Sequence, residues 1–569
     1  MRQMICMSCV LWVCQSMVVH AATPVMPHAF KRWTVYAPVE MAKVTLGDHD
    51  VMPSSLPGTD GHAVAGHRVT VSKGYELDIA RTLGLAVERK RAAVLMTQIA
   101  SDEARTIKVG ASADWWMHWY VNGKPVFTTG ERGNVYGTRS IREHVFELPL
   151  QAGDNLVSVV VESGTGGWKL LAGSDRTIAD LEADVDKKLD DYLDKPFEYI
   201  VSPEKIRQYT LPSLMTTDDG KPVATVEQWE NGRRLKLLDA FKHHVYGEIP
   251  MQLDDLSFEV VSHDPQALDG KADFRIIQIK MKRKNKTHAF HLELYTPRMG
   301  KPAPAFLLIN NRRHTPEPTD PDSGFFPARK LIEAGFAAGE FNNKELAADN
   351  NEHFHEGVLQ LYPELLKKSD GPRTISAWAL GVIRCVDYLV QDDAIDAKRI
   401  SVVGHSRGGK TALWAAVNDP RIAMTCPNNS GCTGTAIARR MFGETIADIN
   451  KQFPYWFNDV YKQYDNREDD LPVDQHMLIA LMAPRPVCVG SAIEDHWADP
   501  EGEYLSMVHA TPVYKLYGLE GLSPSLPVSI EKQVLGQNLS YHIRHGGHGL
   551  REYDWQCYMN AARTFLKIQ

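Results

Sequence analysis

The chain has 569 residues, of which 43% are hydrophobic and 24% are charged. This composition is that of a soluble globular protein, and the length suggests about two to four domains with ample core. The formal net charge of -8 disfavours a nucleic-acid-binding protein, because such proteins usually present a basic face.

The N-terminus has the features of a secretory signal peptide over residues 1–22. Arg2 supplies a positive charge, residues 5–19 are mostly apolar, and Val19-His20-Ala21 resembles a small-residue cleavage site. Cleavage at this site predicts an exported protein, periplasmic or extracellular, and an uncleaved anchor is the alternative. No later segment approaches about 18 unbroken apolar residues, so we predict no membrane span in the mature chain.

Three of the eight cysteines lie in the predicted signal peptide, so the mature chain keeps five. An odd number in an exported protein leaves at least one thiol unpaired, and one disulfide remains possible. Cys385 lies in a helical pattern and Cys488 in an apolar strand, so we predict that both are buried small hydrophobic residues. No CxxC or Cys/His spacing suggests zinc. His353 and His355 lack a clear third ligand, which favours a surface pair.

Residues 23–174 are predicted to form an all-β sandwich of the jelly-roll kind. The Asn122-Gly123 dipeptide is a strong hairpin signal, and residues 146–161 contain a strand, a turn and a second strand. Regularly spaced short strands of this kind favour a sandwich. The alternating segment before the hairpin presents one apolar face, which consists of Trp115, Met117, Trp119 and Val121.

The tryptophans of this region have two interpretations, a sugar-stacking platform or the sandwich core, and we favour the core for the alternating set. The hairpin at residues 119–124 and the Gly-Asp-Asn turn at residues 150–155 resemble those of galactose-binding-like sandwiches, which are often attached to sugar-active enzymes. The candidate platform residues are Trp115, Trp116, Trp119 and Trp168.

Residues 175–206 are predicted to be an acidic helical linker, with a domain boundary near residue 200. Apolar side chains recur at every fourth position among acidic ones, which is typical of a surface helix with one apolar stripe. These side chains are Leu181, Val185, Leu189 and Leu193.

Residues 207–569 alternate predicted strands and helices. This alternation favours an α/β fold, in which helices cover both faces of a mostly parallel sheet. The clearest helix spans residues 373–390. The clearest strands span residues 305–310, 399–403, 486–492 and 539–543.

The segment Gly404-His405-Ser406-Arg407-Gly408 lies between an apolar β-branched strand and a helix-forming run. This is the G-x-S-x-G pattern in the strand–turn–helix context of a nucleophilic serine. Because the turn is sharp, the positions two before and two after the serine must be small, and both are glycine. We predict that Ser406 is a nucleophile, and an ordinary glycine-rich turn is the alternative.

A serine hydroxyl needs a base within hydrogen-bond reach, and the base needs an orienting acid. The sharp strand–turn–helix bend that carries such a serine is called a nucleophile elbow. In chains with this elbow, the serine is followed along the sequence first by the acid and then by the histidine. The loop after the strand at residues 486–492 offers Glu494, Asp495 and Asp499, of which we favour Asp495. A solvated acidic turn is the alternative.

Three histidines lie near the last predicted strand. His542 falls inside the strand pattern, so we predict a packed core residue there. His545 and His548 lie in the glycine-rich loop beyond it, and glycines flank His548 on both sides. These glycines give His548 freedom to reach the serine, so we predict that it is the base.

Six ordered segments extend the pattern: 396–410 (DAKRISVVGHSRGGK), 428–434 (NNSGCTG), 442–445 (FGET), 471–477 (LPVDQHM), 491–500 and 541–555. With looser similarity upstream, about residues 200–569 resemble the bacterial glucuronoyl esterases of carbohydrate esterase family 15. The resemblance implies an α/β-hydrolase that cleaves esters between 4-O-methyl-glucuronic acid of xylan and lignin alcohols. It implies no metal or cofactor.

The resemblance also implies roles for single residues. Ser406 corresponds to the nucleophile, His548 to the general base, and Arg407 to an arginine that stabilises the oxyanion. Some members carry the catalytic acid before a Ser-Gly pair, where this chain has Asn429. Others carry it two residues before a tryptophan, where this chain has Asp495. The positions that correspond to sugar-binding residues are Lys410, Glu444 and Trp497.

Three functions stay open on the sequence. The first is a glucuronoyl esterase, the second another hydrolase of this fold such as an acetyl-xylan esterase or a peptidase, and the third a non-catalytic carbohydrate-binding protein. The cationic side chains of Arg407 and Lys410 suit a uronate carboxylate. The predicted partner is glucuronoxylan or a lignin–carbohydrate ester, and the predicted state is a monomer.

Overall fold

The structure is a computed structural model. The predicted signal peptide lies outside the described residues, as does the predicted linker helix up to residue 205. The structure describes residues 30–44, 46, 52–71, 75–88, 90–113, 116–129, 141, 144–163, 167–174, 206–312, 318–522 and 528–568.

The first part of the chain is all-β apart from short helices. Its strands are β1 (Arg32–Val39), β2 (Ser55–Pro57), β3 (Ala63–Ala65), β4 (His67–Thr70), β5 (Glu76–Asp78), β6 (Ala92–Ser101), β7 (Arg105–Ala113), β8 (Trp116–Val121), β9 (Lys124–Thr128), β10 (His144–Leu150), β11 (Gly153–Glu162) and β12 (Lys169–Ser174). A six-stranded antiparallel sheet has the order β4-β1-β6-β11-β8-β9, and a four-stranded one has the order β10-β7-β12-β5. This confirms the predicted all-β region.

One apolar core contains side chains from both of these sheets. Trp119 and Trp168 are fully buried in it, together with Met117 and Val121. The core interpretation of these residues is therefore correct, while Trp115 lies outside the described residues.

The predicted hairpin joins β8 and β9. Asn122 and Gly123 both have positive φ, 49° and 76°, as a two-residue turn of the primed kind requires. The strands predicted within residues 146–161 also form, as β10 and β11. They belong to different sheets, because β10 pairs with β7 while β11 pairs with β6 and β8.

The second part of the chain is built on one ten-stranded sheet. Its strands are β13 (Asp255–Asp264), β14 (Ala272–Arg283), β15 (Lys286–Pro297), β16 (Ala303–Asn310), β17 (Ala337–Asn342), β18 (Ile395–His405), β19 (Met424–Asn428), β20 (Val487–Ala492), β21 (Val534–Leu535) and β22 (Leu539–Arg544). Their order is β13-β14-β15-β17-β16-β18-β19-β20-β22-β21. The six central strands are parallel to one another, and their order in the sheet is β17-β16-β18-β19-β20-β22. The strands at the two edges pair antiparallel, so the prediction of a mostly parallel sheet holds for the centre and not for the edges.

Helices cover both faces of this sheet. Alternate side chains of β16 point to opposite faces, so Leu307 and Ile309 join one core while Phe306 and Leu308 join another. This confirms the predicted α/β class. The α-helices among the described residues are α1 (Ile79–Leu83), α2 (Val226–Gln228), α3 (Arg234–Phe241), α4 (Ala328–Glu333), α5 (Thr374–Leu389), α6 (Arg407–Asn418), α7 (Ile446–Gln452), α8 (Gln475–Ala480), α9 (Pro500–Leu516) and α10 (Glu552–Phe565).

Two further observations concern the described residues only. None of their helices has the length and apolar character needed to cross a membrane. The five cysteines outside the predicted signal peptide are free thiols, and all are buried, as predicted for Cys385 and Cys488.

Candidate active site

Ser406 lies at the turn between β18 and α6, in a strained backbone conformation. Its φ and ψ are 58° and -123°, which L-residues rarely adopt. A Cβ at position 404 would overlap the carbonyl oxygen of Gly408, so only glycine fits there. Gly408 is less restricted, because a Cβ at that position would approach Ile309 no closer than 3.4 Å. The strand–turn–helix elbow therefore has the predicted form, with the steric demand concentrated on Gly404.

An imidazole and a carboxylate from two later loops meet beside this turn. The Nδ1 atom of His548 lies 2.6 Å from Oδ2 of Asp495, and Asn429 Nδ2 donates to the same oxygen at 2.6 Å. Asp495 is 3% exposed. Burial raises its pKa, but the nearby His548 and the hydrogen bonds from His548 and Asn429 outweigh burial and leave the pKa below its usual value. The carboxylate is therefore charged at neutral pH.

Residues adjacent to Ser406 and to Asn429 connect the elbow with the His548–Asp495 pair. The ring of His405, directly before Ser406, lies 4.4 Å from the ring of His548. The backbone N–H of Ser406 donates to the carbonyl of Asn428 at 2.8 Å, and the next residue is Asn429, which contacts Asp495. The structure thus brings Ser406, His548 and Asp495 together at the carboxyl ends of β18, β20 and β22.

His405 is a neutral imidazole under the elbow. Its Nδ1 atom lies 2.8 Å from the amide oxygen of Asn428, and Arg312 donates to its Nε2 atom at 3.1 Å. Because Nε2 accepts, the proton is on Nδ1. Burial, the nearby His548 and Arg312 lower the pKa of His405 well below its usual value. His405 therefore adds no charge beside His548.

The competing candidates lie elsewhere or serve other contacts. His542 is fully buried in β22 and pairs with Asp554 at 2.9 Å, as expected of a core residue. Asp499 forms an ion pair with Arg440 at 2.8 Å and caps α9. Glu494 is exposed. The side chains of His542 and Asp499 are thus engaged by Asp554 and Arg440.

Arg407 is held by one acidic and two aromatic side chains. Its Nη1 atom forms an ion pair with Asp349. Its guanidinium carbon lies 4.8 Å from the ring centroid of Trp456 and 5.4 Å from that of Phe453. These three partners are not predictable from the sequence, because they lie in segments that carry no motif.

Lys410 and Glu444 form a buried pair. The ammonium of Lys410 donates to the carbonyl oxygens of Ser430 at 2.5 Å and Cys432 at 2.6 Å, and it lies 3.7 Å from Glu444 Oε2. Burial raises the pKa of Glu444, although the charge of Lys410 and a hydrogen bond from Trp497 oppose this. Two of the three N–H groups of the ammonium are used by these carbonyls, and the distance to Glu444 is longer than a hydrogen bond. The indole of Trp497 is half exposed.

Glu503 is a residue of this region that the sequence did not single out. It is fully buried in the first turn of α9 and accepts hydrogen bonds from the N–H groups of Ser430 and Gly431 and the hydroxyls of Thr435 and Ser491, at 2.5–2.9 Å. It thereby fixes the 430–435 loop, whose carbonyls hold Lys410. In the sequence it resembles an ordinary acid at a helix N-terminus.

We expect the stability of the protein to depend on the ionisation of Glu503. Burial raises its pKa to about 7 from the ordinary value of 4.5, although the hydrogen bonds from Ser491, Gly431 and Thr435 lower it. A raised carboxyl pKa means that the folded state holds the proton while the unfolded state has lost it. The contribution to stability is therefore complete below about pH 4.5 and is lost as the pH rises through about 7.

We therefore expect the free energy of unfolding of the wild type to fall by about 3 kcal/mol between about pH 4.5 and 8, measured relative to the Glu503→Gln variant. The raised pKa of Glu503 sets the size of this fall. Urea unfolding at several pH values measures this difference. Glu227→Gln, at an exposed glutamate, serves as the control and should follow the wild-type curve. Parallel curves for wild type and Glu503→Gln would contradict the prediction.

The remaining site predictions concern metals. His353 is 53% exposed and pairs with Glu356 at 2.9 Å, and His355 is exposed too, so the two histidines form a surface pair as predicted. Within the ranges given above, no group of three His, Cys, Asp or Glu side chains is arranged to hold a metal ion.

The architecture and the site together define a class of protein. A parallel sheet centre with a serine at a strand–helix elbow, followed in sequence by an acid and a histidine that meet beside it, is the arrangement of an α/β-hydrolase.

Comparisons with known proteins narrow this class. A family model described as "Glucuronyl esterase, fungi" matches residues 279–518. The chain is 35% identical over 393 residues to "Carbohydrate esterase MZ0003" of an unknown prokaryotic organism, an alignment that covers 63% of this chain and 90% of that protein. It is 27% identical over 358 residues to a 4-O-methyl-glucuronoyl methylesterase of Schizophyllum commune, covering 58% of this chain and 84% of that protein.

Solved structures agree with the sequence relatives. A glucuronoyl esterase from Solibacter usitatus is 33% identical with a TM-score of 0.59, covering 63% of this chain and 99% of that chain. A promiscuous CE15 esterase from a marine bacterial metagenome is 34% identical with a TM-score of 0.58, covering 63% of this chain and 98% of that chain. The chain belongs to carbohydrate esterase family 15, the family of the glucuronoyl esterases.

Proposed function

We propose that the protein is a serine esterase that hydrolyses the ester between (4-O-methyl)glucuronic acid of xylan and lignin alcohols. The observation that carries this proposal is the hydrogen bond of 2.6 Å between His548 and Asp495 beside the elbow serine of a family 15 chain. It supports a working nucleophile, which a carbohydrate-binding protein does not need.

In the proposed reaction, His548 accepts the proton of the Ser406 hydroxyl while the serine oxygen attacks the ester carbonyl. Asp495 stabilises the imidazolium and keeps the Nδ1–H directed toward itself, so that Nε2 faces the serine. His548 then protonates the leaving alcohol. A water molecule, activated by the same imidazole, hydrolyses the acyl-enzyme and releases the uronate.

Arg407 is the proposed stabiliser of the tetrahedral oxyanion. It follows the nucleophile directly at the N-terminus of α6, where backbone N–H groups and the helix dipole also favour negative charge. Loss of one such donor typically raises the barrier by about 3 kcal/mol. The same cation suits the carboxylate of the product.

Lys410, Glu444 and Trp497 are the proposed sugar contacts. The gap of 3.7 Å between Lys410 Nζ and Glu444 Oε2 is too long for a direct hydrogen bond. A sugar hydroxyl can bridge it, because a hydroxyl accepts from the ammonium and donates to the carboxylate at once. The half-exposed indole of Trp497 next to Glu444 offers an apolar face to the sugar ring.

We expect Trp497→Ala to raise KM for a glucuronate ester about tenfold and to change kcat less than about threefold, because stacking on the sugar is made equally in ground and transition states. Initial rates on benzyl glucuronate measure both constants. Leu235→Ala, at an apolar side chain of α3 that is as exposed as Trp497, is the matched control and should leave KM unchanged. A large fall in kcat at unchanged KM would contradict this role.

The remaining proposals concern the organisation of the chain. We propose a signal peptide over residues 1–22, a galactose-binding-like sandwich over 23–174, an acidic helical linker over 175–206 and the esterase domain over 207–569. We also propose that the protein is exported to the periplasm or outside the cell and acts as a monomer.

Relative rates on defined substrates test the proposed function. The wild type is assayed on benzyl and methyl glucuronate, on acetylated xylan and on a peptide substrate. We expect the highest kcat/KM on the glucuronate esters. A preference for acetylated xylan would favour the acetyl-xylan esterase instead, and no hydrolysis of any substrate would favour the non-catalytic binding protein.

A further inference from the structure

A buried carboxylate holds the arginine that follows the nucleophile. Asp349 lies in the loop after β17, and its side chain is 9% exposed. One oxygen, Oδ2, forms the ion pair with Arg407 Nη1. The other, Oδ1, accepts hydrogen bonds from the indole of Trp456 at 2.9 Å and the hydroxyl of Tyr455 at 3.0 Å. Burial raises the pKa of Asp349, but these partners outweigh burial and leave the pKa below its usual value.

The guanidinium of Arg407 is also held by aromatic rings. It lies near the rings of Trp456 and Phe453, which stack on each other with centroids 3.7 Å apart and an interplanar angle of 2°. A cation over an aromatic face is attracted by the ring quadrupole. Trp456 therefore contacts both members of the ion pair, the acid through its N–H and the arginine through its ring.

We call the three side chains that hold Arg407, those of Asp349, Trp456 and Phe453, the arginine clamp. Backbone hydrogen bonds connect the segment that contains Trp456 to the long helix α5. The carbonyl of Tyr455 accepts hydrogen bonds from the backbone N–H of Thr374 at 3.1 Å and from the Thr374 hydroxyl at 2.8 Å. The carbonyl of Trp456 accepts from the N–H of Ile375 at 3.2 Å. Both donors are in the first turn of α5, which is almost entirely buried. The ring and hydroxyl partners of Asp349 are thus fixed to the core.

One donor of the clamped guanidinium has no partner. The Nε atom of Arg407 is buried and makes no hydrogen bond within the described part of the chain. The ion pair with Asp349 therefore leaves donor capacity on the guanidinium for a group that arrives with the substrate.

We propose that Asp349 is a positioning residue for the esterase reaction, which fixes Arg407 so that its remaining N–H groups face the oxyanion formed on Ser406. This inference rests on the proposed function of Arg407. Asp349, Trp456 and Phe453 then act together to hold the charged guanidinium of Arg407 in position before the reaction begins.

The first test is Asp349→Asn, which keeps the shape and one acceptor but removes the ion pair. We expect kcat on benzyl glucuronate to fall about 10- to 100-fold while KM stays within about twofold, because the oxyanion contact is made only in the transition state. The matched control is Asp474→Asn. Asp474 is also fully buried and pairs with an arginine, Arg439, at 3.2 Å. That variant should keep wild-type kcat in its folded fraction.

The second test is chemical rescue, which a merely structural role of Asp349 would not affect. Arg407→Ala leaves a space between Asp349 and the stacked rings, and added guanidinium ion should bind there and restore part of kcat. The double variant Arg407→Ala with Asp349→Asn should show no rescue. Equal rescue in both backgrounds, or an unchanged kcat in Asp349→Asn, would overturn the proposal.

A second substrate separates this proposal from the proposed function. All variants are also assayed on 4-nitrophenyl acetate, which needs the nucleophile and the oxyanion contact but no sugar site. If the wild type cleaves this ester and not glucuronate esters, the proposed substrate is wrong while the effect of Asp349 is still measured. A wild type that cleaves neither ester would overturn both proposals.

Discussion

We expect Ser406→Ala to lower kcat on a glucuronate ester by about a million-fold, since the nucleophile, the base and the acid act as one unit. Alanine keeps the Cβ that the strained turn already accommodates at φ 58°, so the loss comes from the missing oxygen and not from unfolding. Initial rates at high enzyme concentration, with the enzyme freed of wild-type contamination, measure the residual activity.

The control for this variant is Ser213→Ala, which removes an exposed serine hydroxyl from a segment that contains none of the proposed site residues. It should match the wild type in rate, and Ser406→Ala should match the wild type in its thermal unfolding midpoint. Undiminished ester cleavage by Ser406→Ala would exclude the serine mechanism.

The second large effect is expected for Asp495→Asn, which should lower kcat by about ten thousand-fold. His548 and Asn429 both donate to Oδ2 of Asp495, so an amide at position 495 presents to them either a neutral oxygen, which no longer stabilises the imidazolium by its charge, or an NH₂ group. An NH₂ group at that place favours the imidazole tautomer with its proton on Nε2, which cannot accept the serine proton. Steady-state kinetics over pH 5 to 9 measure the loss.

Glu494→Gln is the matched control, because it changes the neighbouring acid of the same loop, whose side chain is exposed. We expect its kcat to stay within about twofold of the wild type. A comparable loss in both variants would mean that the charge of the loop matters and not the Asp495–His548 hydrogen bond.

The parts of the structure that the sequence predicted correctly are those set by local patterns. The strand expected at residues 486–492 is Val487–Ala492, and the helix expected at residues 373–390 is Thr374–Leu389. Apolar runs bounded by turn residues determine such elements. The three residues of the proposed triad are predicted for a similar reason, since each follows a predicted strand in the chain order of this fold.

The parts that the sequence did not predict depend on contacts between distant segments. Asp349 lies in a polar stretch that resembles a surface turn, and only the fold places it against Arg407, 58 residues later. Glu503 resembles a solvated acid of a first helical turn, yet it is the buried acceptor for the 430–435 loop. The antiparallel pairing of β13 to β15 is not predictable from the sequence, because a short periodic pattern does not specify which strand pairs with which.

The contact between Asn429 and Asp495 has a consequence for how such sites can change. The amide nitrogen of one and the carboxylate of the other lie 2.6 Å apart, on two different loops, beside a single imidazole. The contact joins the loops that follow β19 and β20, which are neighbours in the sheet. The orientation of the imidazole therefore depends on two adjacent strand ends, and a change in either loop is transmitted to the base through one shared oxygen.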